Sequence, residues 1–260
     1  MPTTPMPAIF VGHGNPMNAI EHNSYTAEWQ QLADSLPRPR AILAISAHWY
    51  LPGGRVTAGD RPATIHDFGG FPKELFEVGY PAPGSSELAD CVADLLAPAV
   101  IEPDTRWGLD HGTWSILVHM YPDADIPVVQ LGIDETLTAA QHYDLGRRLR
   151  PLREDGVLIL GSGNVVHNLD VYAWDRRPIP PYQWAVRFNS WLRQAIMARR
   201  FGDVIDYRQG GADAELAVPT PEHYLPLLYT LATHTEDEPV SLPVDGFDGG
   251  SISMLGVRIG

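Results

Sequence analysis

Short, nearly unbroken apolar runs alternate along this chain with longer stretches in which apolar residues return every three or four positions. The clearest run is Ala41–Trp49, AILAISAHW, where β-branched Ile42 and Ile45 sit in an apolar stretch that turns polar only at its end. Such a run predicts a strand buried on both faces. Ala8–Val11, Ile126–Ile133 and Val157–Leu160 repeat the pattern, with a short strand expected near Val100 and a last one in the closing ISMLGVRI. Between the runs, Trp29, Leu32, Ala33 and Leu36 share a helical face that Pro37 and Pro39 stop. Leu88, Val92, Leu95 and Leu96 mark another, with Ser85 or Ser86 as its cap. Further helices are expected from about Thr113, over Thr138–Glu154, and over Pro181–Arg200, where Trp184, Phe188, Trp191, Leu192 and Ile196 turn inward. In VPTPEHYLPLLYTLATH, Thr220 is placed to cap and Pro221 to take the first helical position, which puts His223 in the first turn. The strand, helix, strand rhythm predicts an α/β chain with a largely parallel sheet.

Asp60–Pro83 breaks the rhythm. It is rich in Gly, Pro and Phe, and a loop of that length in a compact chain reads as a lid or binding loop. No repeat, low-complexity tract or linker divides the sequence, so residues 1–260 read as a single domain. With 44% hydrophobic and 19% charged residues it can bury a large core without staples.

Charge narrows the partners. A net charge of −14 repels nucleic-acid phosphates and anionic membranes, which leaves a small molecule as the expected partner. The beginning of the chain lacks a basic segment followed by an apolar run, and no window approaches the roughly 20 apolar residues of a membrane span. A cytoplasmic protein is expected. Cys91 is the one cysteine, which excludes an internal disulfide and a cysteine-based zinc knuckle. Any metal must be held by histidine or carboxylate.

In open α/β sheets, ligands gather at the carboxyl ends of the strands. Three runs here lead to a histidine: AIFVGHGNP to His13, AILAISAHW to His48, and VLILGSGNVVH to His167. Each alone reads equally well as a turn, strand-end or capping residue. Together, imidazoles aimed at one crevice suit a divalent metal. GSGN lacks the spacing and the acidic partner of a dinucleotide fingerprint. His22, His119, His142 and His234 have no supporting motif and read as ordinary hydrogen-bonded residues.

Six motifs carry a family resemblance: GHGNPMN, SAHW, HDFGGFP, GLDHGTW, GSGNVVHNL and TPEHYLPLLY. In this order, over nearly the whole chain, they resemble the class III extradiol ring-cleavage dioxygenases, the LigB-like superfamily, and most of all its 4,5-DOPA extradiol branch. The resemblance implies a single-domain three-layer α/β/α fold with a mixed, largely parallel central sheet and a metal at the strand ends. It also implies opening of a catechol by O2 to a muconic semialdehyde. Carried over by position, His13 and His48 match two metal ligands and His223 the third. His167 matches the active-site acid and base, close enough to the metal to be a further ligand. Better-known members use two histidines and a glutamate, so Glu222, beside His223, is a possible substitute. Activity requires redox-active Fe(II), although the same imidazoles suit Zn2+. His111 and His66 are candidates to hydrogen-bond substrate or dioxygen, with Phe68, Phe71 and Tyr80 walling off water. Two other readings stand beside this one: a zinc hydrolase with His167 or Glu222 as base, and a metal-binding homologue without turnover.

Overall fold

The computed structural model describes residues 4–174 and 178–260. Its strands are β1 (Ala8–Gly12), β2 (Ala41–Leu51), β3 (Gly54–Thr57), β4 (Ile101–Asp104), β5 (Val128–Asp134), β6 (Val157–Gly163), β7 (Val240–Val244), β8 (Phe247–Asp248), β9 (Ile252–Ser253) and β10 (Gly256–Ile259). Eight of them form one sheet in the order β4-β3-β5-β2-β6-β1-β10-β7, while β8 and β9 pair by themselves. The four central strands, β5, β2, β6 and β1, are mutually parallel; β10 runs antiparallel to β1 and β7, and β3 antiparallel to β5. The sheet is mixed and mostly parallel, as the apolar runs imply.

Helices cover both faces. They are α1 (Ser24–Asp34), α2 (Lys73–Phe76), α3 (Ser86–Leu96), α4 (His111–Met120), α5 (Ala139–Leu149), α6 (Pro151–Glu154), α7 (Gln183–Met197), α8 (Phe201–Ile205), α9 (Ala212–Ala217) and α10 (Leu225–Ala232). Alternate strand residues point to opposite faces, so each strand feeds two cores. Ile42 and Ala44 of β2 pack with Trp29 and Leu32 of α1 and with Trp114 and Leu117 of α4. Leu43 and Ile45 pack with Val92 of α3, Leu149 of α5, Leu192 of α7 and Leu228 of α10. A strand sandwiched this way has no polar face, which is why its sequence is an unbroken apolar run. Among the described residues no helix is long and apolar enough to cross a membrane.

The topology makes a crevice. β6 lies between β1 and β2, and the chain crosses from β1 to β2 through α1 on one face, whereas it reaches β6 from β5 through α5 on the other. Loops therefore diverge at the carboxyl ends of β1, β2 and β6, the place where such sheets bind ligands. The register keeps those ends level, with Gly12 beside Gly163 and Ser46 beside Ser162.

Several boundaries differ from the sequence expectation, each for a local reason. The helix expected from Thr113 begins at His111, because the Asp110 side chain caps it by accepting the Thr113 N–H. The helix expected from Pro221 begins instead at Leu225. The Pro221 carbonyl accepts the N–H groups of both Tyr224 and Leu225 in a tight turn, the Thr220 hydroxyl donates to Glu222 rather than capping, and Pro226 takes the early helical position. His223 thus stands in the turn before α10. The Pro181–Arg200 helix is shorter, closed after Met197 where Arg199 adopts a left-handed conformation. ISMLGVRI is split into β9 and β10, and Thr138 opens a helix that is interrupted at Arg150 before α6.

Candidate active site

Three histidines meet at the crevice. His13 follows β1 directly, and its N–H donates to the Gly163 carbonyl, which ties it to the end of β6. His48 lies in β2 just past Ser46, where pairing with β6 has ended and the register with β5 is interrupted between Ile45 and Tyr50. That irregularity releases His48 from the ladder and lets it turn to the crevice. His223 arrives from the turn before α10, whose fall onto the sheet is fixed by the Asn164 N–H donating to the His223 carbonyl at 2.8 Å. A Cβ at Gly163 would lie 2.1 Å from that carbonyl oxygen, so the approach requires glycine. The three rings form a nearly equilateral triangle, with centroids 5.0 Å (His13–His48), 5.4 Å (His13–His223) and 5.0 Å (His48–His223) apart.

Hydrogen bonding fixes their tautomers. The Ser162 hydroxyl donates its single proton to the Gly112 carbonyl, so in its 2.9 Å contact with His13 the proton must come from Nδ1–H. His48 Nδ1 lies 3.3 Å from an Asp67 oxygen and His223 Nδ1 3.2 Å from a Glu222 oxygen, both acceptors. In all three rings an acceptor oxygen at Nδ1 favours the tautomer with the proton there and the lone pair on Nε2. The Nε2 atoms of His13 and His48 are 3.1 Å apart, which sets two lone pairs against each other, and His223 Nε2 is buried without a partner. Unpaired buried polar atoms are costly. A cation held by the three Nε2 atoms removes that cost, and a carboxylate or hydroxyl on the second nitrogen is what ligating imidazoles require. Burial, then the neighbouring histidines, hold His13 and His223 well below the usual imidazole pKa; His48 is lowered likewise by burial and His111, against the pull of Asp67. Neutral imidazoles are the state in which a metal is bound. The ligand nitrogens lie within 4.8 Å of one another, so this cluster can hold a metal ion.

Two further histidines flank the triangle. The His167 ring lies flat on His223, with centroids 3.5 Å apart and planes within 6°. Its nitrogen groups with Glu222 and His223 rather than with the three convergent Nε2 atoms. Burial and then His111 push its pKa down to about 4. His111, at the start of α4, places its ring centroid 3.8 Å from that of His48, and its Nδ1 3.0 Å from Asp67. Gly112 permits this approach, since a Cβ there would meet Ser46 Oγ at 2.5 Å and His48 Cδ2 at 2.9 Å.

A cavity of about 170 Å3 opens above the five histidines. Cavities near this size hold a single aromatic ring, and the walls here are Phe68, Phe71, Leu169, Tyr172, Trp174 and Ile252. The loop thus supplies Phe68 and Phe71, as its sequence suggests. His66 and Tyr80 do not line the cavity. His66 Nε2 donates to the Val78 carbonyl and its ring packs against Phe68 and Trp114, while Tyr80 is buried in the core and its hydroxyl donates to the Tyr121 carbonyl. Both shape the loop from behind. The histidines without motifs are ordinary where hydrogen bonds define them: His119 donates to the Asn18 carbonyl and His142 meets the Tyr229 hydroxyl.

Sequence reasoning missed the acceptors. Asp67 and Ser162 face histidine rings from other elements, and Asp110, fully buried, accepts from Ser46 and Gln130 while Ser46 Oγ accepts the His48 N–H within β2. Burial and then the nearby Asp67 push the Asp110 carboxyl up to about 6, against those hydrogen bonds. The usable signal was chemical: a ligating histidine needs an acceptor on its other nitrogen.

A triangle of imidazoles that could hold a metal ion thus lies beneath a small, largely aromatic cavity. Residues 5–248 match the family described as the catalytic LigB subunit of aromatic ring-opening dioxygenase, and the chain belongs to that family of extradiol ring-cleavage enzymes. It is 49% identical to the 4,5-DOPA dioxygenase extradiol of Escherichia coli K12, over 100% of this chain and 97% of that protein. Against the 4,5-DOPA dioxygenase extradiol of Beta vulgaris it is 39% identical, over 94% and 93% of the two chains. The crystal structure of an uncharacterized protein from Escherichia coli K12 superposes with a TM-score of 0.86 at 45% identity, covering 98% of this chain and 100% of that one. These relatives do not favour the hydrolase reading or the silent one.

Proposed function

We propose that this protein opens the ring of a DOPA-like catechol with O2, giving a muconic semialdehyde that retains both oxygen atoms. His13, His48 and His223 hold the metal, Fe(II) in the active form, with Zn2+ able to take the same place. The supporting observation is the convergence of three imidazoles within reach of one ion, each with its Nδ1 facing an acceptor oxygen. Bound Fe(II) supplies Lewis acidity toward the catechol oxygens and a redox path to dioxygen. Glu222 serves this arrangement by accepting from His223 Nδ1, which leaves ligation to the imidazole.

The chain's own residues do the rest. Phe68, Phe71 and Trp174 enclose the ring and exclude water. His167, neutral at physiological pH, takes a hydroxyl proton from the catechol, and the imidazolium so formed returns it when the O–O bond breaks. His111, with Nδ1 on the Asp67 side at 3.0 Å, turns Nε2 to hydrogen-bond substrate or dioxygen. Anaerobic loading of metal-free protein with Fe(II), followed by aerobic assay on DOPA and simpler catechols, tests the reading. Oxygen uptake matched one to one by yellow ring-opened product is expected, with none from the zinc-loaded sample. Iron-loaded protein that consumes no oxygen with any catechol contradicts it.

A further inference from the structure

The aromatic loop and the histidines meet at one carboxylate. Asp67 stands between His66 and Phe68 and so belongs to the loop, yet both its oxygens are committed to the histidines. Oδ2 lies 3.3 Å from His48 Nδ1; Oδ1 lies 3.0 Å from His111 Nδ1 and accepts the backbone N–H of His111 at 2.9 Å. Asp67 forms no ion pair with lysine or arginine among the described residues, and its side chain is 17% exposed. Resting on the proposed metal ligands, we propose that Asp67 is a positioning residue through which the aromatic loop orients the histidines of the metal site. It holds His48 in the tautomer that leaves Nε2 free and sets the ring of His111 at the same time.

The argument is one of donor and acceptor supply. Without an acceptor at Nδ1, the His48 proton distributes over both nitrogens, and a proton on Nε2 blocks ligation. Only a carboxylate presents an acceptor oxygen to both rings as well as to the His111 backbone N–H. An asparagine here has one acceptor oxygen, which the His111 backbone N–H keeps on its own side, so the NH2 group faces His48. Turned to His48, it donates to Nδ1 and moves the proton to Nε2. Because Phe68 lines the cavity directly after Asp67, one segment of the loop carries both the carboxylate and an aromatic wall.

Asp67→Asn tests this on full-length, metal-free protein. Titration with Zn2+ against a chromophoric chelator should show affinity lower by the roughly 10–100-fold typical of losing such a partner. Nitrogen-15 NMR should show the His48 proton moved toward Nε2, and in iron-loaded protein kcat should fall more than KM rises, because the aromatic walls remain. A merely structural role for Asp67 would lower the melting temperature and leave affinity and tautomer alone. Either an unchanged zinc affinity or an unchanged His48 tautomer overturns the proposal. Asp67→Glu, which moves the carboxylate by one methylene, is read by the same two criteria if the asparagine variant does not fold. His13→Ala run in parallel separates the two claims: metal lost there but held normally by Asp67→Asn defeats only the role of Asp67, whereas metal retained there defeats the ligand assignment and this proposal with it.

Discussion

The two ends of the central sheet handle buried polarity in opposite ways. At the amino end, Arg153 of α6 is fully buried, and each side of its guanidinium is satisfied: Nε donates to the Met6 carbonyl, Nη1 to the Thr233 carbonyl and Glu238, and Nη2 to Glu238 again. That end is closed. At the carboxyl end, three imidazoles have their Nδ1 protons placed and their Nε2 lone pairs left facing one another or nothing. A buried nitrogen-bearing side chain serves cohesion where its donors meet acceptors, and is suited to binding where lone pairs converge. What sets the carboxyl end apart is that its imidazole nitrogens converge within reach of one ion.

The comparison is broken most decisively by removing a ligand. His223→Ala should abolish stoichiometric metal binding and ring opening together while the metal-free fold persists, as elemental analysis, oxygen uptake and circular dichroism will show. A full equivalent of metal in that variant would place the site elsewhere. Arg153→Ala should do the reverse. Stranding Glu238 and two carbonyls should cost about 3–5 kcal/mol in urea unfolding, with metal content per folded molecule unchanged.

How much of this was visible in the sequence follows from the range of the interactions. The buried strands were legible because two helical layers leave no polar face, and the Ser85 cap because its hydrogen bond to the Leu88 N–H spans three residues. His13, His48 and His223 were reachable through motifs. What stayed hidden depends on residues far apart in the chain: Asp67 to His48 and His111, Ser162 to His13, and Tyr80 turned from the cavity to Tyr121. The start of α10 was misjudged because Pro221 and Pro226 both suit a first turn, and only the Pro221 carbonyl, engaged in a tight turn, decides between them.

Smaller effects sharpen the contrast through pH. In metal-free protein His13 and His223 titrate well below 6.5, so below that pH the unfolded chain binds protons the folded one refuses, and stability falls as pH drops from 6.5. Glu238 behaves differently. Burial raises its pKa, but the hydrogen bond and charge of Arg153, with Thr235, outweigh that and hold it below 4.5. Its contribution is complete above 4.5 and is lost only as pH falls through the lower folded value. Urea midpoints should therefore decline in two windows; His13→Ala should flatten the upper one and Glu238→Gln the lower. A single window in wild-type protein would erase the distinction. The least effect is expected in the loop, where the amides of 67–71 should exchange faster than those of β2 and β6 without substrate. Equal protection would make the loop as rigid as the sheet.

The central claim, that three histidines bind the metal while a fourth moves protons, is tested most directly by measuring metal content and ring-opening rate on the same samples of wild-type protein, His13→Ala and His167→Ala. His13→Ala should lose both. His167→Ala should keep most of its metal while turnover falls by roughly 10²–10⁴-fold, the usual loss for a general acid or base. If His167→Ala loses its metal as completely as His13→Ala, His167 is a fourth ligand, and the division of labour described for this site is contradicted.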